Sequence, residues 1–243
     1  MQWSDEGLIL SVRPHGETAA IVELLTAANG RHAGLVHGGR SRRLRPVLQL
    51  GNHVDVTWKA RLSENLGHMA LELRRGYAAE AMADATALAG LSTMTTMARL
   101  LPEREPHASL YEVSLFVLSF IDDPSVWPAL YARWELGLLE GLGFGLDLET
   151  CASTGTRDNL IYVSPRSGRA VSAEAGEPYK ERLMKLPGFL RGGASSGEVT
   201  TDDVRDALRL TGHFLEQRVL TPAGQTMPDV RGRMIELIGR QKR

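Results

Sequence analysis

The sequence predicts an α+β protein: a small closed antiparallel β-barrel in residues 1–76, then a mainly α-helical domain in residues 77–243. Three observations predict it. Short strand-like runs, some apolar-rich and some alternating polar and apolar, fill the first 75 positions, and an Asn-Gly pair, Asn29-Gly30, stands between two apolar runs. From Tyr77 the pattern changes to an Ala-, Met- and Leu-rich stretch with no proline until Pro102.

The elements follow in order. Residues 7–12 are apolar-rich and end in a turn, Arg13-Pro14-His15-Gly16. Residues 20–26 form the next strand. It is closed by Ala28-Asn29-Gly30, where Asn and Gly tolerate the positive φ of a hairpin turn. Residues 31–37 return as a third strand to Gly38-Gly39, and the charged, proline-ended run 40–46 is a loop. Residues 53–61 alternate through Val54, Val56 and Trp58, and residues 67–73 through Met69, Leu71 and Leu73. Five such strands suggest a closed barrel, with an SH3-like barrel as the competing form. One helix is expected over residues 77–101. A second carries Leu110, Val113, Val117 and Phe120, and a third carries Leu130, Trp134, Leu138 and Leu142 before a glycine-rich end. Residues 151–176 are turn-rich around a short strand at 160–164, and residues 186–197 read as a loop or hinge. Thr200 and Asp203 form a capping box opening a helix with Val204, Leu208, Leu215 and Val219 inward. A last helix over 230–238 runs into the basic residues 240–243.

Charge divides the chain where total charge does not. Residues 1–75 carry ten Lys/Arg against seven Asp/Glu, residues 76–150 three against eleven, and residues 151–243 fifteen against eleven. A basic front, acidic middle and basic rear argue for separate surfaces meeting separate partners. Cys151 is the single cysteine, so no intrachain disulfide is possible and a reducing cytosol is expected. The first residues lack a signal-peptide pattern, and no run of about 18 apolar residues suggests a membrane span.

The strongest chemical feature is an absence. Between Glu23 and Asp55 there is no acidic residue, yet the stretch holds Arg31, Arg40, Arg42, Arg43 and Arg45 with His32, His37 and His53. Guanidinium groups without neighbouring carboxylates suit phosphate binding, because a nearby acid would cancel their charge. Gly38 and Gly39 would let backbone N–H groups approach a phosphate as well. Lys59 and Arg61 add cations beside Trp58, although Trp58 shares strand parity with Val54 and Val56 and is expected in the core. The candidate nucleic-acid-binding residues are therefore Arg31, Arg40, Arg42, Arg43, Arg45, Lys59 and Arg61; the plain alternative is a charged loop that only keeps the protein soluble. His32 and His37 lie five apart on one strand and face opposite sides, so solvated or hydrogen-bonded histidines are expected rather than a shared metal. Gly141-Leu142-Gly143-Phe144-Gly145 follows a helix and lacks a Gly-Lys-Ser/Thr, which marks a helix terminus rather than a phosphate cradle. No Gly-x-Ser-x-Gly, His-Glu-x-x-His or paired acid cluster occurs, so no catalytic residue is assigned and no enzyme is expected.

The chain resembles the DNA recombination and repair protein family RecO over nearly its whole length. The front match includes Gly7-Leu8-Ile9-Leu10, Gly16-Glu17-Thr18, Thr26, Gly30, Gly38-Gly39-Arg40 and Leu48-Gln49. A second runs from Trp134-Glu135-Leu136 through Leu138-Leu139-Glu140, Leu142-Gly143-Phe144 and Leu146-Asp147-Leu148 to Cys151. A third comprises Tyr162-Val163-Ser164-Pro165, Ser167-Gly168 and Arg169-Ala170-Val171. The resemblance implies an N-terminal OB-fold, a helical C-terminal domain and no catalytic activity. It implies binding of single- and double-stranded DNA, annealing of complementary strands, contact with the tail of single-stranded DNA-binding protein, and work with RecR in the RecFOR pathway to load RecA. It implies a cytoplasmic, nucleoid-associated protein with no cofactor and no membrane partner. For the tail, the rear cations Arg205, Arg209, Arg218, Arg231 and Arg233 are candidates for the rim of an apolar pocket. Many family members hold zinc by four cysteines. Here Cys151 stands at the first position, Thr154 at the second, and Ser172 and Ala175 at the other pair. One thiolate cannot make a tetrahedral structural site, so a degenerate zinc-finger-like segment over 151–176, held by packing around Leu160, Tyr162 and Val171, is expected and no metal is assigned. The rival functions are an OB-fold RNA-binding or ribosome-associated protein, a metabolic enzyme and a pure scaffold.

Overall fold

In the computed structural model, which describes residues 1–192 and 198–240, the front of the chain is five strands. They are β1 (Gln2–His15), β2 (Ala19–Thr26), β3 (Gly30–Val36), β4 (His53–Lys59) and β5 (His68–Arg75). Their order is β1-β2-β3-β5-β4, and β1 closes the barrel against β4. The first half of β1 pairs with β4 (Gln2 opposite Lys59) and its second half with β2 (His15 opposite Ala19), with a register shift between Ile9 and Ser11. Such a bulge bends a strand and increases its twist, which lets one strand serve two neighbours. A parallel bridge from Leu35 to His68 completes the circuit. This closed five-stranded topology is that of an OB-fold and sets aside the SH3-like form.

Period-two alternation fills the interior: Val22 and Leu24 of β2, Val54, Val56 and Trp58 of β4, and Met69 and Leu71 of β5 form one core with Ile9. Leu44 and Leu48, from the long connection between β3 and β4, enter the same core. The β2–β3 turn requires its glycine. Gly30 has φ of +64°, and a Cβ there would lie 2.1 Å from the Glu105 carbonyl oxygen.

The helical reading of residues 77–101 holds two helices rather than one, α1 (Tyr77–Ala81) and α2 (Ala85–Ala98). The Asp84 carboxylate accepts the Ala87 N–H at 2.8 Å, an N-cap that starts a new helix. Helix α3 spans Ala108–Leu118 and α4 spans Trp127–Gly141. Gly143 then takes φ of +82°, and the Phe144 N–H reaches the Leu139 carbonyl at 2.7 Å, a helix terminus as expected.

The chain forms two compact units, Met1–Trp127 and Pro128–Arg243. In the second, β6 (Leu160–Val163), β7 (Ala170–Ser172) and β8 (Met184–Lys185) form a small sheet in the order β7-β6-β8, with α5 (Ala173–Gly176) between β7 and β8, and α6 (Thr201–Phe214) and α7 (Asp229–Arg240) follow it. The hinge expected at 186–197 contains a 3₁₀ turn at Gly188–Leu190, and its residues 193–197 lie outside the described residues, as do the basic residues 241–243. The capping box forms as expected, with Thr200 Oγ1 accepting from the Asp203 N–H and Asp203 accepting from the Thr200 N–H. After α6 the chain winds as a π-helix over Leu215–Leu220, and this shifts the inward face by one position. Leu215 is buried as expected, but Leu220 is buried in place of Val219.

Within this unit Arg231 is no rim cation. It is buried and donates to both Glu135 carboxylate oxygens, at 2.7 and 2.8 Å, and to the Leu208 carbonyl at 2.6 Å. Tyr131 donates to the same carboxylate at 2.9 Å. The charge is fully compensated where it sits, since a buried arginine survives only when paired.

Candidate nucleic-acid interface

Arg31 leaves the candidate set. Antiparallel pairing places Leu25 opposite Arg31 and Ala33 opposite Glu23, so Glu23 and Arg31 are diagonal neighbours on one face of the β2–β3 pair. They form an ion pair; Arg99 donates to the same carboxylate at 2.9 Å, and Arg31 Nε donates to the Leu101 carbonyl at 2.7 Å. Burial pushes the Glu23 carboxyl up, but Arg31 and Arg99 outweigh it and hold it below the usual carboxylate range. Arg31 is thus a structural cation.

The other loop arginines are arranged differently. Leu44 and Leu48 plug into the barrel interior while Arg40, Arg42, Arg43 and Arg45 stay exposed around them. Backbone bonds from Arg45 N–H to the Ser41 carbonyl (3.1 Å) and from Leu48 N–H to the Leu44 carbonyl (2.9 Å) give the loop a helical turn of its own. Arg40 donates to the Gly16 and Glu17 carbonyls at 3.2 and 2.9 Å. Among the described residues none of these four arginines is in an ion pair, and neither is Lys59 or Arg61. Lys59 ends β4 on its outer face, and Arg61 lies beyond the strand in the connection to β5, where strand parity no longer applies.

Of the two glycines, only Gly38 is open, with φ of +64° and nothing near its missing Cβ. Gly39 is buried, its N–H donates to the Val36 carbonyl at 3.2 Å, and a Cβ there would meet that of Ala20 at 2.7 Å. It serves packing rather than phosphate approach.

The histidines also sort themselves. His32 is neither solvated nor hydrogen-bonded: 6% exposed, it lies edge-on to Trp3 and Trp58, with ring centroids 5.1 and 4.9 Å away and no hydrogen-bond partner for either ring nitrogen among the described residues. Burial and the Arg104 charge lower its pKa, against weaker opposing effects of Glu103 and the Asn29 backbone. His53 is buried too and shares a 3.0 Å hydrogen bond with the Tyr111 hydroxyl; burial lowers its pKa, with Glu6 opposing. His37 is exposed and stacks on His68, centroids 4.7 Å apart and planes 19° apart. Both line a cleft of about 440 Å³ with Arg43, Lys59, Thr57 and Glu72. His68 and Thr57 escaped the sequence reading, because the strand pairing that brings them beside Lys59 is not written in either segment alone.

Each family model accounts for one part of the chain: "Recombination protein O N terminal" matches residues 1–77 and "Recombination protein O C terminal" matches residues 82–225. The chain belongs to the RecO family. Among its relatives, the DNA repair protein RecO of Methylorubrum populi is 52% identical over 241 residues, covering 98% of each chain. That of Methylobacterium nodulans is 52% identical over 240 residues, again covering 98% of each. That of Brucella abortus is 49% identical over 240 residues, covering 99% of this chain and 97% of its own. Membership carries a role in DNA repair and recombination.

The family's zinc does not fit this chain. Cys151 is buried; its Sγ accepts the Ser172 N–H at 3.3 Å and lies 3.6 Å from Ser172 Oγ. Burial raises the thiol's pKa, but hydrogen bonds from Thr154 and from backbone N–H groups of Ser172, Thr154 and Ser153 bring it to about 6. The surroundings suit a thiolate, yet the remaining positions offer two hydroxyls and a methyl group, not soft ligands. Among the described residues no three His, Cys, Asp or Glu side chains gather as metal ligands would. No described helix is long and apolar enough to cross a membrane.

Proposed function

We propose that the chain is a non-enzymatic recombination mediator that holds single- and double-stranded DNA by its phosphates, speeds annealing of complementary strands and, with RecR, helps RecA load. The supporting observation is the loop: four exposed arginines, none ion-paired among the described residues, are held around a two-leucine plug. Lys59 and Arg61 extend that positive surface, and residues 1–76 act as the nucleic-acid-binding domain. Annealing needs no acid or base. Two strands repel through their phosphates, and a surface that neutralises part of that charge brings them together while leaving base edges free.

A second surface suits the acidic, apolar-ended tail of single-stranded DNA-binding protein. A groove of about 730 Å³ in the second unit has Met184, Leu208, Met227 and Ile235 as apolar lining, with Arg205 and Arg209, each beside an aspartate of its own helix, as cations and Glu216 as an acid. The protein acts on the nucleoid in the cytoplasm. The test is annealing of complementary labelled oligonucleotides, bare and coated with single-stranded DNA-binding protein, across a salt series. The parent accelerates annealing, the effect fades as salt rises, and changing Arg40, Arg42, Arg43 and Arg45 to glutamate removes it. Acceleration indifferent to salt, or kept by that variant, overturns the reading.

A further inference from the structure

The arginine loop explains affinity for phosphate but not the aromatic pair beside it. His37, just past the end of β3, and His68, at the start of β5, meet at the seam where the barrel closes through the Leu35–His68 bridge. His68 also lies directly opposite Lys59 in the β4–β5 ladder. Among the described residues neither imidazole has a hydrogen bond or ion pair, and both are exposed, so the stack is not a core contact. Beyond it on the same face of β5 come Ala70 and then Glu72, with Thr57 opposite Ala70. The small Ala70 side chain leaves the gap that becomes the cleft, and Val36, Leu44, Met69 and Leu71 supply apolar lining. Arg43 from the loop and Lys59 from β4, the latter opposite His68, also line the cleft.

The geometry points to a pocket for one unpaired nucleotide, its base stacked on the His37–His68 pair and its phosphate held by Arg43 and Lys59. This deepens, and rests on, the reading of the barrel as a DNA-binding surface. A cleft of about 440 Å³ has the volume of a small-ligand site, for which roughly 300–1,000 Å³ is usual. Bases inside a duplex have both faces covered, so only a splayed base can offer a face to a side chain. Glu72, the one carboxylate among the described residues lining the cleft, repels phosphate and sets the polarity: backbone toward Lys59, base edge toward the acid. The pocket therefore distinguishes single strands from duplex, which the arginines alone do not.

The experiment compares a 2-aminopurine-containing single strand with the same sequence as a blunt duplex, by anisotropy and by 2-aminopurine fluorescence. In the full-length H37A/H68A variant the single-strand Kd rises roughly five- to a hundred-fold, the range of one lost base–aromatic stack, while the duplex Kd stays within about twofold. The H37F/H68F variant restores single-strand binding and the change in 2-aminopurine signal, since it keeps the rings without the titratable nitrogens. Parent-like single-strand binding by H37A/H68A, equal loss for both DNA forms, or no rescue by phenylalanine overturns the pocket and leaves the arginine surface standing. A parent that binds neither form overturns both.

Discussion

A variant with Arg40, Arg42, Arg43 and Arg45 changed to alanine keeps the barrel core, because all four side chains are exposed and only Leu44 and Leu48 of that loop enter the interior. Each cation that neutralises a phosphate on a single strand adds about −0.7 to the slope of log K against log salt concentration. The loop's share of the slope is thus about −2.8, and between 50 and 200 mM salt the parent loses roughly fifty-fold more affinity than the variant. Had Arg31 been a fifth contact, the share would be about −3.5. The structure assigns Arg31 to Glu23, so Arg31→Ala is expected to leave the slope alone, whereas Arg42→Ala flattens it by about 0.7. Fluorescence anisotropy with a labelled homopolymer across that salt range reads both. A quadruple variant with the parent's slope, or Arg31→Ala flattening it as Arg42→Ala does, refutes the assignment.

Other expectations concern stability. Arg31→Ala leaves a buried carboxylate with Arg99 alone and costs about 3 kcal/mol in urea unfolding, without the salt effect above. Glu135→Gln strands the buried Arg231 guanidinium and costs about 3–5 kcal/mol, seen as a lower midpoint for the second unit; an unchanged midpoint means that the pair contributes nothing. The pKa values of His32 and His53 are lowered by burial, so the unfolded chain binds more protons just below about pH 6.5 and stability falls as pH drops from there toward the depressed folded values. His32→Phe removes one such group and flattens that fall by up to about 1.4 kcal/mol per pH unit, measurable by denaturation at pH 7, 6 and 5. A chelator is expected to leave Tm unchanged. The triple change T154C/S172C/A175C makes Tm zinc-dependent if those positions converge as the Cys151–Ser172 contacts indicate.

The barrel was readable because its cues are local: an apolar run in β2, alternation in β4 and β5, and an Asn-Gly turn whose glycine has to be one. The exposed arginines were readable for the same reason, as a run without acids. What failed was inference from distance along the chain to distance in space. Glu23 is eight residues from Arg31, outside the acid-free run, yet the hairpin folds it onto that arginine. Glu135 and Arg231 lie 96 residues apart and meet in the interior, so a cation assigned to a surface is a buried one. Helix continuity failed at Asp84, although the signal was present: an aspartate three residues before a free N–H is a cap. The inward face after Phe214 failed because a π-helix does not keep the period of 3.6 on which the pattern rests.

The bulged first strand carries a consequence for how the barrel comes apart. Since β1 supplies the ladder for β2 at one end and for β4 at the other, detaching it removes two of the barrel's seams together. The buried middle of the strand, Gly7–Leu10, where the two ladders meet, is therefore expected to exchange its amides with deuterium among the slowest in the barrel, and the two ends of β1 faster.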